Sequence, residues 1–248
     1  VTLALITNDD GIESDGLSAL ALAAVDAGLD VVVAAPARQS SGSSASIIAA
    51  EEDGRIMIER RELAGLEGMA AFSVRAAPAL IALVAANGAF GPVPDLVFSG
   101  VNHGANVGRA ILHSGTVGAA LTGGLNGARG LAVSLDVGMR PSEFHWDATS
   151  APLKELLPHL LAQPAGAVFN LNLPNTDAEL ELREAHLAPF GIVQTTMTRD
   201  EDFVQLGVED LPNRPEPGSD AALLAEGFAT VTNLSAVSEA GTPAMNRA

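Results

Sequence analysis

The chain has 248 residues, 30 acidic against 13 basic, giving a formal charge of −17; 48% of it is hydrophobic but only 4% aromatic, with one Trp and neither Tyr nor Cys. That composition is globular, with a core that Ala, Leu and Val must build. The acidity, with basic residues scattered rather than clustered, argues against nucleic-acid and anionic membrane partners, and the missing cysteines exclude disulfides, thiolate catalysis and Cys-ligated zinc.

Short apolar runs alternate with helical spacing over the first 175 residues. The stretches 3–7, 30–35, 95–99, 130–135 and 166–173 read as buried strands, and 16–27, 78–87, 114–126 and 146–162 as helices. Pro78 suits a first helical turn, and Gly28 and Gly127 suit the ends of helices. The apolar run 17–35 is interrupted by Asp26, Gly28 and Asp30 and is no bilayer span. Residues 1–10 lack a basic start and reach charge early, so the expectation is a soluble, cytoplasmic protein. Residues 55–61 read as a further strand in a hairpin. The alternation predicts an α/β fold: a three-layer, Rossmann-like, mostly parallel sheet with helices on both faces. After residue 175 the rhythm breaks. Residues 180–187 and 192–198 read as strands, 199–219 as a loop or arm rich in Pro, Gly and acid, and 220–226 and 228–233 as a helix and a strand that return to the core. This divides the chain into a core, 1–175, and a β-rich arm with a C-terminal segment, 176–248.

Four stretches carry chemistry. Asn8-Asp9-Asp10-Gly11 follows the first strand, where ligands sit in a doubly wound sheet. Neighbouring carboxylates about 4 Å apart repel by about 4 kcal/mol at an effective dielectric of ~20. A cation, a shared proton or the N-terminus of the next helix offsets that repulsion. The run Ser40-Ser41-Gly42-Ser43-Ser44 after the second strand is either a flexible loop, an anion nest or the source of a neutral oxygen ligand. Asn102, in the Gly-rich stretch Ser99–Gly108, offers an amide oxygen suited to a hard cation. This stretch matches neither a dinucleotide fingerprint nor a Walker loop. Ser114-Gly115-Thr116 opens a helix, where free amides and hydroxyls receive an anion or where Ser114 merely caps. Three of these stretches follow strands that share one sheet edge. Two carboxylates, a serine hydroxyl and an amide oxygen suit Mg²⁺ or Mn²⁺ rather than zinc. Such an ion beside a phosphate cradle points to a metal-dependent phosphoesterase.

Residues 5–11, 35–42, 99–106 and 114–117 closely resemble the SurE (survival protein E) family, metal-dependent 5′/3′-nucleotidases, and the resemblance resumes over 218–228. It implies metal ligands at Asp9, Asp10, Ser41 and Asn102, with the carboxylates of Asp9 and Asp10 also catalytic. It implies phosphate contacts at Gly42, Ser44, Ser114, Gly115 and Thr116, with Asn106 a further candidate. It also implies one divalent ion per subunit, Mg²⁺ or Mn²⁺, and a nucleoside monophosphate substrate. The implied assembly is a homodimer or homotetramer that exchanges the 199–219 region and the C-terminal segment between subunits. Ala37, Ala45, His113, Thr122, Ser235 and the stretch 76–80 depart from the family's usual residues, a matter of rate and substrate preference rather than of the metal set. Those departures motivate a second reading, a nucleotide-binding or regulatory homologue with weakened catalysis. A dinucleotide-binding oxidoreductase shares the fold class but lacks its glycine fingerprint. His103, beside Asn102, is either a proton-transfer or substrate contact or a surface loop residue; His145, His159 and His186 read as structural.

Overall fold

Ala4, Leu5 and Ile6 are apolar in succession, so their strand must be covered on both faces. In the computed structural model, which describes residues 1–49, 51–138, 141, 143–189, 193–199, 204–210 and 215–238, this strand is β1 (Leu3–Thr7), inside a nine-stranded sheet. There follow α1 (Asp15–Asp26), β2 (Asp30–Pro36), β3 (Glu51–Glu52), β4 (Arg55–Ile56), β5 (Ile58–Arg61), β6 (Ala70–Val74), α2 (Pro78–Ala85) and β7 (Leu96–His103). The remaining elements are α3 (Gly115–Leu125), β8 (Arg129–Asp136), α4 (Ser150–Ala162), β9 (Val168–Pro174), β10 (Leu182–Glu184), β11 (Val193–Arg199), β12 (Val204–Asp210), α5 (Asp220–Ala225) and β13 (Ala229–Leu234).

The sheet runs β10-β13-β9-β8-β7-β1-β2-β6-β5. Its six central strands, β9 to β6, are parallel; β5 and β13 pair antiparallel at either side, and β10 pairs parallel with β13. From β1 the chain proceeds to β2 and β6 on one side, then returns to place β7, β8 and β9 on the other. The crevice at the carboxyl ends of β1 and β7 is therefore the switch point at which such sheets bind ligands. Ala4 and Ile6 pack with Leu17 and Leu20 of α1 and Leu153 and Leu160 of α4. Leu5 and Val97 pack with Ile81 and Ala82 of α2 on the opposite face. The three-layer expectation holds.

Three local differences have physical causes. β6 is a parallel core strand that the apolar runs do not announce, because Ala70-Ala71-Phe72-Ser73-Val74 is built largely of small residues; its pairing with β2 makes it a strand. The helix expected over 146–162 is a 3₁₀ turn, Trp146–Thr149, followed by α4. Within 199–219, Val204–Asp210 is a strand, paired antiparallel with β11 in a two-stranded sheet of their own. Of the expected arm, residues 200–203 and 211–214 lie outside the described residues, as do Ile192 and the C-terminal stretch 239–248.

The segment after the hairpin is fastened to the site's edge by one buried carboxylate. Asp220 accepts from the amides of Gly108 (2.8 Å), Ala188 (2.9 Å) and Ala221 (2.8 Å) and is 0% exposed. Each buried amide left without a partner costs about 1–3 kcal/mol. Asp220→Ala is therefore expected to lower unfolding free energy in urea by at least about 3 kcal/mol, and Asp220→Asn, which keeps one acceptor oxygen, by less.

Candidate active site

The loop after β1 is shaped by Asn8. Its side-chain amide donates to the Gly11 carbonyl (3.1 Å) and to Ser14 Oγ (2.6 Å), while its oxygen accepts from the Gly11 amide (3.1 Å). Gly11 sits at φ +107°, a backbone that side-chain-bearing residues rarely adopt. This turn lets Asp9 and Asp10, whose side chains would diverge in a strand, serve one site. The loop after β2 is then tied down by the Ser40 amide, which donates to the Asp9 carbonyl at 2.7 Å.

Asp9 is only 5% exposed. Burial pushes its carboxyl above the ordinary carboxylate range and the charge of Asp10 adds to that; the Thr116 hydroxyl, donating to Oδ1 at 2.5 Å, works against it. Asp10 is half-buried and accepts from the Gln39 amide (3.3 Å) and from the backbone amide of His103 (3.3 Å). Gln39 also donates to Ser41 Oγ at 3.0 Å, so a single neutral amide joins Asp10 to Ser41. The side-chain nitrogen of Asn102 is held by the Gly104 carbonyl (2.7 Å), leaving Oδ1 with lone pairs to offer. Hydrogen bonds thus connect Asp10 to Ser41 through Gln39 and to the residue that follows Asn102 through its backbone amide.

The phosphate candidates divide. Gly115 opens α3 directly against Asp9: a Cβ there would lie 2.8 Å from Asp9 Oδ2 and 2.4 Å from Ser43 Oγ. Gly42 carries a positive φ of +73° in an exposed loop. Ser114 Oγ accepts from the Val117 amide (3.1 Å) as an N-cap and keeps its own proton to give. Thr116 is turned to Asp9 rather than left open, and the Ser44 hydroxyl donates to the Leu112 carbonyl at 2.6 Å. Asn106 braces the loop: its side chain donates to Ser134 Oγ, its carbonyl accepts from Asn170 and Asn172, and its amide donates to Asn172. The ring of the exposed His103 lies 5.1 Å from that of Phe144. Thr122, a departure from the family pattern, is satisfied inside α3 by the Gly118 carbonyl.

Two residues that sequence reasoning passed over take part. Gln39 had no signal beyond its place in the 35–42 stretch. Ser43 is one of five residues in a Ser/Gly run that offered no ground for preferring it, yet its buried Oγ has no hydrogen-bond partner among the described residues. An orphaned hydroxyl beside a buried carboxylate, with donors that are otherwise all oxygen, fits a hard divalent cation and an oxyanion. Among the described residues no cluster of three or more Asp, Glu, His or Cys offers a competing metal site.

A family model described as survival protein SurE matches residues 4–199. The chain belongs to the SurE family. The 5′-nucleotidase SurE of Actinobacillus pleuropneumoniae is 34% identical over 246 residues, covering 94% of this chain and 93% of its own. That of Rubrobacter xylanophilus is 36% identical over 196 residues, 75% and 71% of the two chains. The crystal structure of the SurE protein from Aquifex aeolicus superposes with a TM-score of 0.76 at 24% identity, covering 96% of this chain and 94% of that one, a likeness of fold. No helix among the described residues is long and apolar enough to cross a membrane.

The raised Asp9 carboxyl has a sign that can be worked through. Folding disfavours its ionised form, so the penalty is absent below the ordinary value of 3.8 and grows as pH climbs through the folded-state value. In chelator at pH 7, Asp9→Asn is expected to raise Tm, because the carboxamide has no charge to bury. The gain over wild type should shrink as pH falls toward 4. Thermal melts across that range check both statements.

Proposed function

We propose that this SurE-family chain is a phosphoric monoester hydrolase, a 5′-nucleotidase that converts nucleoside monophosphates to nucleoside and phosphate. The observation that carries the reading is the buried Asp9 carboxylate set against the start of α3 at the switch point of the sheet, with Asp10 beside it. The relatives' shared name, over most of this chain, supports the substrate class. Asp9, Asp10, Ser41 and Asn102 would hold one divalent ion, Mg²⁺ or Mn²⁺. When bound, that ion supplies Lewis acidity for the phosphoryl group and for the attacking water.

The chain's own residues do the rest. The Asp9 and Asp10 carboxylates orient the attacking water and take up its proton. Thr116 keeps Asp9 in place by its hydroxyl. The Gly115 amide, with the Ser114 proton, faces the charge that develops on the equatorial oxygens. Gly42 and Ser44 would flank the same group once the Ser44 proton leaves Leu112, and Asn106 would fix the opposite wall. We further propose action on 3′-monophosphates and a cytoplasmic homodimer or homotetramer. In that assembly residues 1–175 form the catalytic core, and segments of 176–248 are exchanged between subunits.

Phosphate release from a panel of nucleoside monophosphates tests the reading. Release should stop with EDTA and return with Mn²⁺ or Mg²⁺, and Asp10→Asn should reduce it by at least about a hundredfold, the scale of a lost electrostatic or acid–base contribution. Folded protein that releases no phosphate with either metal would overturn it in favour of a nucleotide-binding homologue.

A further inference from the structure

A second cavity opens beside the carboxylate crevice. It measures about 840 Å³ and its near wall is the loop after β2, including Gln39, Gly42 and Ser43. Gln39 is the residue that joins Asp10 to Ser41, so cavity and crevice share a wall. The far wall is the β5–β6 edge. Its frame is fixed by backbone hydrogen bonds: Ala37 to Val74 (2.8 Å), Arg75 to Met57 (3.1 Å) and Ala77 to Ile48 (2.8 Å).

The lining is unlike the rest of the molecule. Among the described residues that line it, Arg38, Arg61 and Arg75 are cationic and Glu59 is anionic, in a chain of charge −17. Arg61 already lies near Glu13 (3.8 Å) and Glu59 (3.7 Å). Among the described side chains Arg38 and Arg75 have no ion-pair partner. Exposed Ile48 and Met57 add an apolar lip. Guanidinium groups grip phosphate through paired N–H donors, and a locally positive cavity in an acidic protein concentrates anions where the surrounding field repels them. A substrate with one phosphate places that group in the crevice and leaves these arginines without an anion.

We propose that this cavity receives a second phosphate of the substrate, so that the enzyme prefers nucleoside bisphosphates phosphorylated on both the 3′ and 5′ oxygens. The inference rests on the phosphomonoesterase reading of the neighbouring crevice. One phosphate and the sugar lie across Gly42, Arg38 and Arg75 hold the other phosphate, and the base meets Ile48 and Met57. In the reaction a water oxygen bonds to the phosphorus in the crevice and that ester P–O bond breaks. The leaving sugar oxygen receives a proton, and the products are one inorganic phosphate and one nucleoside monophosphate. Arg38 and Arg75 are specificity residues and take no part in bond breaking.

The experiment compares adenosine 5′-monophosphate with adenosine 3′,5′-bisphosphate as substrates of the Mn²⁺-loaded full chain. It measures kcat/KM in wild type, in Arg38→Gln/Arg75→Gln and in Arg183→Gln, a charge change at the far edge of the sheet. Wild type should favour the bisphosphate at least about tenfold, mainly through KM, as one or two charge-assisted contacts predict. The double variant should bring the ratio near one while Arg183→Gln keeps it. Equal values in wild type, or a preference that survives in the double variant, would overturn the proposal. Calorimetric binding of both nucleotides, run in parallel, separates the two readings. If no phosphate is released but the bisphosphate binds more tightly in wild type than in the double variant, the cavity assignment stands and the hydrolase reading falls. Equal binding overturns the cavity assignment whatever the turnover.

Discussion

A carboxylate buried to 5% exposure directly beside a second carboxylate is the constraint on which the site is built. No Lys or Arg among the described residues lies within ion-pair distance of either. Burial of an uncompensated charge is expensive, and ordinary cores avoid it. Here it persists because the turn at Gly11, the loop after β2 and the start of α3 hold the pair in place from three sides. The expense marks a place where stability has been given up for chemistry.

The groups that hold the pair share a property. Asn8, Gln39 and Thr116 are neutral, as is the backbone amide of His103. They orient oxygen atoms without cancelling their charge, which an Arg or Lys in the same places would do. The negative potential is therefore kept for a ligand. The same logic extends outward through Asn106, Ser134, Asn170 and Asn172, an uncharged lattice that fixes the loop after β7 where regular secondary structure has ended.

Much of this was legible in the chain. β1 lies where its apolar run places it, and the parallel order follows from the strand–helix rhythm, since buried strands on both faces require helices on both sides. The carboxylate pair, Ser41 and the start of α3 stand out because each follows a strand, or opens a helix, at one sheet edge; Asn102, expected in a loop, lies inside the end of β7. What escaped is set by tertiary structure. β6 is recruited by its neighbour rather than by its own residues. Thr116 reads as a phosphate contact at a helix start, yet the depth of Asp9 turns its hydroxyl to the carboxylate. Gln39 and Ser43 become distinctive only when two loops distant in sequence are brought together, and the arginine-lined cavity is divided between residues 38, 61 and 75, which no local pattern joins.

The fastening at Asp220 also bears on how the protein is made. Its partner Gly108 lies 112 positions earlier, an interval of roughly 6–22 s at ribosomal rates of ~5–20 residues per second. The acidic motif near residue 9 and the loop after β7 therefore emerge long before the group that locks that loop. A stalled or prematurely terminated chain carries the paired carboxylates without the finished wall around them. The residues around Asp9 wait for Asp220 before their crevice has its final shape.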